Sequence, residues 1–275
     1  MNKVGYCWLS LILWWLPGAA LAQWQIAWLS WQDTEFSHFS GANAIPIQRN
    51  AYSLQYRWLD EPRQQENLFT YAHEPVLVRD LTPAHNGYFH RLDYTTQRTI
   101  HEWEGQVSLG LHGSSNMFNH AQFHRDAVVL TGYLRRSWIP CGCKIGLHGD
   151  YRFGHFAIYP TADWRGTIAK VLTMEISLPY LFKLADSAKR WELHLQRVGN
   201  KWGALDRSRE IKSAYYLEEW QVEAQLNVLH DFYGSDIGLI MGVSFDTTIR
   251  YLDLTTGKRK EELEPAWYAG LIVSF

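Results

Sequence analysis

Past residue 22 the chain has no run of about 18 apolar residues free of charge, the length a helix needs to cross a bilayer. Any membrane passage by the rest of the chain must therefore use strands. An excess of one charge is also missing. Lys and Arg number 26 against 28 Asp and Glu, so the formal net charge is −2, which points away from nucleic acid as a partner. Cysteine is scarce, at 3 residues, and no spacing suits a structural zinc. No motif calls for a cofactor. The mean hydropathy of −0.28 is far below that of a helical membrane protein.

Aromatic residues are abundant. The chain of 275 residues holds 14 Trp and 15 Tyr, and aromatics make up 15% of it. The length fits one domain behind a targeting segment. Lys3 starts that segment, Tyr6 to Leu16 is its apolar run, Pro17 and Gly18 break the run, and Ala20-Leu21-Ala22 has the small-x-small form of a cleavage site. Residues 1–22 are therefore expected to be a signal peptide, cleaved near Ala22. An N-terminal membrane anchor is the alternative.

A period of two runs through the remainder. At the C-terminus Trp267, Ala269, Leu271, Val273 and Phe275 share one face, opposite Tyr268, Gly270, Ile272 and Ser274. Trp220, Val222, Ala224, Leu226 and Val228 alternate with Gln221, Glu223, Gln225 and Asn227. Comparable alternation marks Leu54–Leu59, Gly87–Thr95, Trp103–His112, Asp126–Trp138, Lys144–Arg152, Leu172–Leu178, Trp191–Gln196 and Ile237–Tyr251. About ten strands are expected, with 8–12 as the range. Their connections mostly alternate long and short. Residues 51–275 form the expected barrel, and 23–50 are either a periplasmic lead-in or an additional strand.

The signal peptide, the closing Phe275 and the alternating loop lengths together resemble the outer-membrane β-barrel families of Gram-negative bacteria, in which a terminal aromatic strand is recognised during assembly. The resemblance runs from about Leu54 to Phe275. It implies an all-β, antiparallel, up-and-down transmembrane barrel in the outer membrane, with Trp267, Leu271, Val273 and Phe275 as the assembly signal. It further implies contact with outer-membrane lipids, periplasmic chaperones and the barrel assembly machinery. A soluble periplasmic β-sandwich is the competing architecture, since alternation alone does not separate the two.

In a barrel the polar faces line the lumen. That set is Arg57, Arg91, Asp93, Glu104, His148, Asp150, Arg152, Glu175, Glu192, His194, Glu223, Asp246 and Arg250. Ten strands would leave a narrow interior crowded with ion pairs. The expected role is structural, binding or narrow solute passage. A lipid hydrolase using His112 and Ser114, which have the His-x-Ser spacing of outer-membrane phospholipases, is the enzymatic alternative. His230-Asp231 is the nearest match to the Asp-His pair of outer-membrane aspartyl proteases, but it falls in an expected periplasmic turn. His120 and His124 have a spacing that suits a metal on a helical turn, but two solvated loop histidines are the favoured reading. Cys141 and Cys143 are a possible disulfide in the oxidising periplasm.

Overall fold

The computed structural model describes residues 23–31, 34–35, 46–60, 63–78, 87–138, 142–151, 156–168, 170–205, 212–232, 235–253 and 257–275. The expected signal peptide lies outside the described residues. In chain order the strands are β1 (Gln23–Trp31), β2 (Thr34–Glu35), β3 (Pro46–Asp60), β4 (Gln65–Val78), β5 (Gly87–Ile100), β6 (Trp103–Ser114), β7 (Val128–Trp138) and β8 (Cys143–Asp150). They continue with β9 (Ala157–Ile168), β10 (Leu172–Leu178), β11 (Leu181–Asp186), β12 (Trp191–Leu205), β13 (Lys212–Phe232), β14 (Ser235–Asp253), β15 (Gly257–Leu263) and β16 (Ala266–Ser274). A short helix α1 (Ser115–His120) follows β6. Among the described residues no helix is long and apolar enough to cross a membrane.

Every neighbouring pair in the ring is antiparallel, and β1 pairs with both β16 and β3, so the sheet closes on itself. Of the sixteen strands, β2 pairs only with β3 and β15 only with β14, which leaves fourteen in the closed barrel. The expected ten strands are thus too few. Three lie outside the expected set, β4, β9 and β11, and the fourth is β1. The faces of β4 and β11 contrast weakly. In β11, Leu181 and Ala185 flank a single charge, Lys183, on one face, and Phe182 and Leu184 stand on the other, so the contrast is slight. In β9 a proline, Pro160, interrupts the pattern. The segment Gln23–Trp31, left open between lead-in and strand, is the closing strand β1.

The faces of the barrel follow from the period. Outside stand Val107, Leu109, Leu130, Leu134, Leu147, Ile158, Leu178, Val222, Leu226, Leu239, Met241 and Leu271, each more than a third exposed. Together they make an apolar belt far more continuous than a water-soluble surface carries. Trp103, Trp138, Tyr94, Tyr88 and Trp267 are exposed among them. A soluble β-sandwich would bury such a face between two sheets; here it is uncovered.

The wall is uneven in height. Strands β8, β10 and β11 have 8, 7 and 6 residues, whereas β12, β13 and β14 have 15, 21 and 19. We call the rim carrying both termini the terminal rim and the opposite one the loop rim. Above the short strands, toward the loop rim, β12 leans across to β6 and pairs with it in parallel at Gly203 and Gly113. Both glycines sit in close quarters there. A Cβ on Gly203 would stand 3.0 Å from the His124 ring, and one on Gly113 would stand 3.2 Å from Met117 Sδ. The loop between β6 and β7 packs over this crossing through buried Met117, Ala127 and Leu205.

Packing inside the belt is illustrated by Gly242, over which the buried Tyr268 ring lies, facing it across the β14–β16 pair. A side chain at Gly242 would collide with that ring and stand 2.7 Å from the Val222 carbonyl oxygen. Gly242→Val is expected to destabilise the barrel by about 1–3 kcal/mol through overpacking. The check is the urea midpoint of the barrel folded into lipid vesicles, read by tryptophan fluorescence.

Candidate functional site

Side chains that alternate with the apolar belt point inward, and around mid-barrel many of them are polar. They enclose a cavity of about 580 Å³, lined among others by Arg49, Glu74, Arg91, Asp93, Glu219 and Glu223. The polar set separates into three groups by position.

The first lies toward the terminal rim beneath β6–β10. Glu104 accepts a hydrogen bond from Tyr133 Oη at 2.8 Å and pairs with Lys144. Arg135 pairs with Asp163, which also accepts a hydrogen bond from Ser177 Oγ. The second spans β11 to β16. Glu192 pairs with Lys183 and with His194, whose Nε2 lies at 3.1 Å, and Glu223 accepts from Tyr268 Oη at 3.0 Å. Neighbours on one wall satisfy each other in both groups.

The third group joins opposite walls. Arg49 on β3 makes two hydrogen bonds to Glu219 on β13, at 2.8 and 3.0 Å, although β1, β16 and β14 separate these strands in the ring. Gln221 donates to the same carboxylate at 2.7 Å and Thr247 at 3.2 Å. Arg91 on β5 donates to Asn200 on β12 at 2.7 Å and lies 3.1 Å from Asp93. His112 on β6 holds Asp93 at 2.7 Å through Nε2 and meets the Lys201 carbonyl on β12 at 3.0 Å through Nδ1. These are chords across the barrel.

Above the chords, toward the loop rim, the filling changes character. Phe89, Trp202 and Leu217 are buried together, with Tyr215, Ala204 and Ile249 against them. The Phe89 ring lies 5.3 Å from Trp202 and 5.4 Å from Tyr215. Trp202 Nε1 is buried with no hydrogen-bond partner among the described residues. Beside this apolar plug, Lys201 is fully buried, 3.5 Å from Asp126 and over the Tyr151 ring at 4.2 Å.

The positions named from sequence spread over this frame. Arg91, Asp93, Glu104, Glu192, His194 and Glu223 are in the three groups just described. His148 and the wholly buried Asp150 lie 3.7 Å apart near Tyr159. Glu175 stands opposite Lys183 in the β10–β11 pair. Arg57 pairs with Glu66 at 3.1 Å near the terminal rim and is more than half exposed. Arg152 lies outside the described residues. Asp246 and Arg250 differ from expectation. The register between β13 and β14 slips after Glu218, and Asp246, at φ 51, takes up the extra residue as a β-bulge. A slip of one residue exchanges the faces. Thr247 therefore points inward to Glu219, while Asp246 is exposed and Arg250 stands outside, 3.0 Å from Glu218.

His112 and Ser114 are not a lipid-facing pair. Both are buried on the inward face, His112 on Asp93 and the Lys201 carbonyl, Ser114 Oγ accepting from the Leu205 amide at 3.2 Å. His120 is exposed, His124 lies 3.3 Å from the Ala204 carbonyl, and no metal-binding group occurs among the described residues. His230 pairs with Asp236 at 2.7 Å. Cys143 is disulfide-bonded; Cys141 lies outside the described residues. Trp267, Leu271, Val273 and Phe275 share the outward face of β16. Arg49 and Glu219, the strongest cross-lumen link, were not among the sequence candidates. Glu219 continues the polar face of Gln221, Glu223 and Gln225 by one more step, and that continuation was the available signal.

No protein-family model and no curated protein sequence matches the chain. Among solved structures it is similar to a bacterial polysaccharide outer membrane secretin, at a TM-score of 0.42 and 8% identity over 93% of this chain and 98% of that one. It is also similar to an outer membrane channel from Pseudomonas putida F1, at 0.34 and 13% over 94% and 99%. The outer membrane protein opdK from Pseudomonas aeruginosa follows, at 0.32 and 8% over 94% and 98%. Likeness of this degree carries no argument about activity, and the barrel rests on its own hydrogen-bonded closure.

The buried Arg49–Glu219 pair gives a direct stability test. Arg49→Met strands a buried carboxylate and is expected to cost about 3–5 kcal/mol, whereas Arg49→Met with Glu219→Leu recovers most of it. Equilibrium unfolding of the two variants in lipid vesicles checks the order.

Proposed function

We propose that this chain is an integral outer-membrane barrel that admits a small polar solute to its charged interior and passes it when the loop-rim constriction opens. One observation carries the reading: the face exposed around the barrel is apolar while the face enclosed by it is charged. Only a hydrocarbon exterior and a wet interior make both faces stable at once. The fourteen-stranded girth leaves room for a cavity of solute size, where eight strands would be filled by side chains.

The chords and the plug make the resting state closed. The unpaired Trp202 indole N–H makes that closure less stable than an all-apolar one. Arg49, Arg91, Glu74, Asp93, Glu219 and Glu223 present both signs of charge, which suits a polar solute carrying both or neither. The outward row ending in Phe275 supports handling by periplasmic chaperones and the outer-membrane assembly machinery, after cleavage of residues 1–22.

Planar bilayer recording tests passage. The wild type is expected to be closed for most of the time, and the double variant Phe89→Ala, Trp202→Ala to conduct in steps. A double variant that folds yet never conducts defeats the passage reading.

A further inference from the structure

A second polar cluster stands on the outside of the barrel, near the loop rim, where a lipid-facing wall has no structural need of one. Ser115, the first residue of α1, lies with its Oγ 2.7 Å from His90 Nε2 on β5. The other ring nitrogen, Nδ1, lies 2.9 Å from Tyr71 Oη on β4. His90 and Tyr71 belong to the outward set, since Arg91, Asp93, Thr70 and Ala72 beside them line the cavity. A second imidazole, His73, sits 4.7 Å from the His90 ring, and its Nδ1 is buried with no hydrogen-bond partner. Around them Tyr52, Tyr88 and Phe123 are exposed, and Phe118 meets His90 edge-on at 5.4 Å.

We propose that Ser115 and His90 form a serine acyl-hydrolase site facing the membrane, with Tyr71 as its positioning residue and a lipid ester as substrate. A serine within hydrogen-bond reach of an imidazole, itself oriented by a third group, is the arrangement that nucleophilic catalysis requires. With the ring proton on Nδ1 and donated to Tyr71 Oη, Nε2 is free to accept. The Ser115 hydroxyl then has two acceptors within reach, Nε2 and the Tyr88 carbonyl at 3.1 Å. Attack follows when the hydroxyl turns to Nε2.

In the acylation step Ser115 Oγ bonds to the ester carbonyl carbon and its proton passes to Nε2. The carbon–oxygen bond to the lipid alcohol then breaks, and Nε2 returns the proton to that leaving oxygen. Water repeats the sequence on the acyl-serine and releases the fatty acid, so ester and water give acid and alcohol. His73 Nδ1, without a hydrogen-bond partner, lies on the ring beside that of His90. The flanking aromatic rings and the apolar belt below supply contact for an acyl chain. The ester carbonyls of a bilayer lie at its interface, the level at which exposed Tyr and Trp collect.

The identity of the substrate rests on the membrane reading above; the Ser–His geometry does not. The refolded full-length barrel is incubated with a fluorophosphonate probe and, separately, with phosphatidylethanolamine–phosphatidylglycerol vesicles, with released fatty acid measured. Wild-type protein is expected to label at Ser115 and to release fatty acid. Ser115→Ala abolishes both, and His90→Gln lowers both by about 100-fold or more. Ser114→Ala leaves both unchanged. Tyr71→Phe keeps the label, lowers turnover, and moves the acidic limb of the pH–rate profile to lower pH, because an acceptor for the imidazolium is lost. The groups facing His90 are Tyr71 and His73 from β4, Tyr88 from β5, and Ser115 and Phe118 from α1. Barrel folding of each variant is verified by circular dichroism and by flotation with the vesicles. Protein that floats but neither labels nor releases fatty acid overturns the site, as does hydrolysis unchanged in Ser115→Ala. Protein that does not float instead overturns the membrane reading.

Discussion

The rest of the structure depends on the two hydrogen-bonded ladders made by β1. One joins Gln25–Trp31 to the last strand and the other joins Gln23–Ser30 to β3. Without them the sheet would present two bare edges, each a row of unpaired amides and carbonyls. In hydrocarbon every such group costs several kcal/mol. Closure therefore comes before any question of side chains. Once the ring is shut, alternation delivers one side of each strand to the exterior and the other to the interior, and the chemistry of the two compartments diverges.

That divergence explains how an interior with so many ionised groups is compatible with stability. Charges removed from bulk water need close partners. Here each inward cluster supplies them, whether along one wall, as at Glu104, Tyr133 and Lys144, or across the lumen, as at Arg49 and Glu219. The cross-lumen links do a further job. They tie β3 to β13 and β5 to β12 across the lumen.

Much of this was legible in the sequence because a period of two is a strong signal where the faces differ in polarity. Trp220–Leu229 and the last ten residues show it plainly. It fades where a face mixes polar and apolar residues, as in β4 and β11. β1 sets Gln23 and Gln25 on its inner face together with Ala27 and Leu29, the last in contact with a buried cluster of Ile240, Ala266 and Tyr268, so that face reads as only half polar. The bulge at Asp246 defeats the pattern differently, by exchanging faces within one strand. Contacts between distant residues were not legible. Arg49 and Glu219 are 170 residues apart, and Ser115 and His90 are 25 apart. The sequence offered His112 with Ser114 because they are close along the chain. Yet residues two apart on a strand share a face, and here that face is the inside.

The glycine crossing between β6 and β12 links these features. Had β6 continued beside β7 to the loop rim, Ser115 would have extended the strand on the outward side. Instead β6 ends at Ser114, α1 turns over the crossing with Met117 beneath it, and Ser115 comes to the His90 ring. The same crossing brings Trp202 from β12 against Phe89 from β5 and so forms the plug. One close backbone approach, at Gly113 and Gly203, thus sets both the interior constriction and the exterior Ser–His pair.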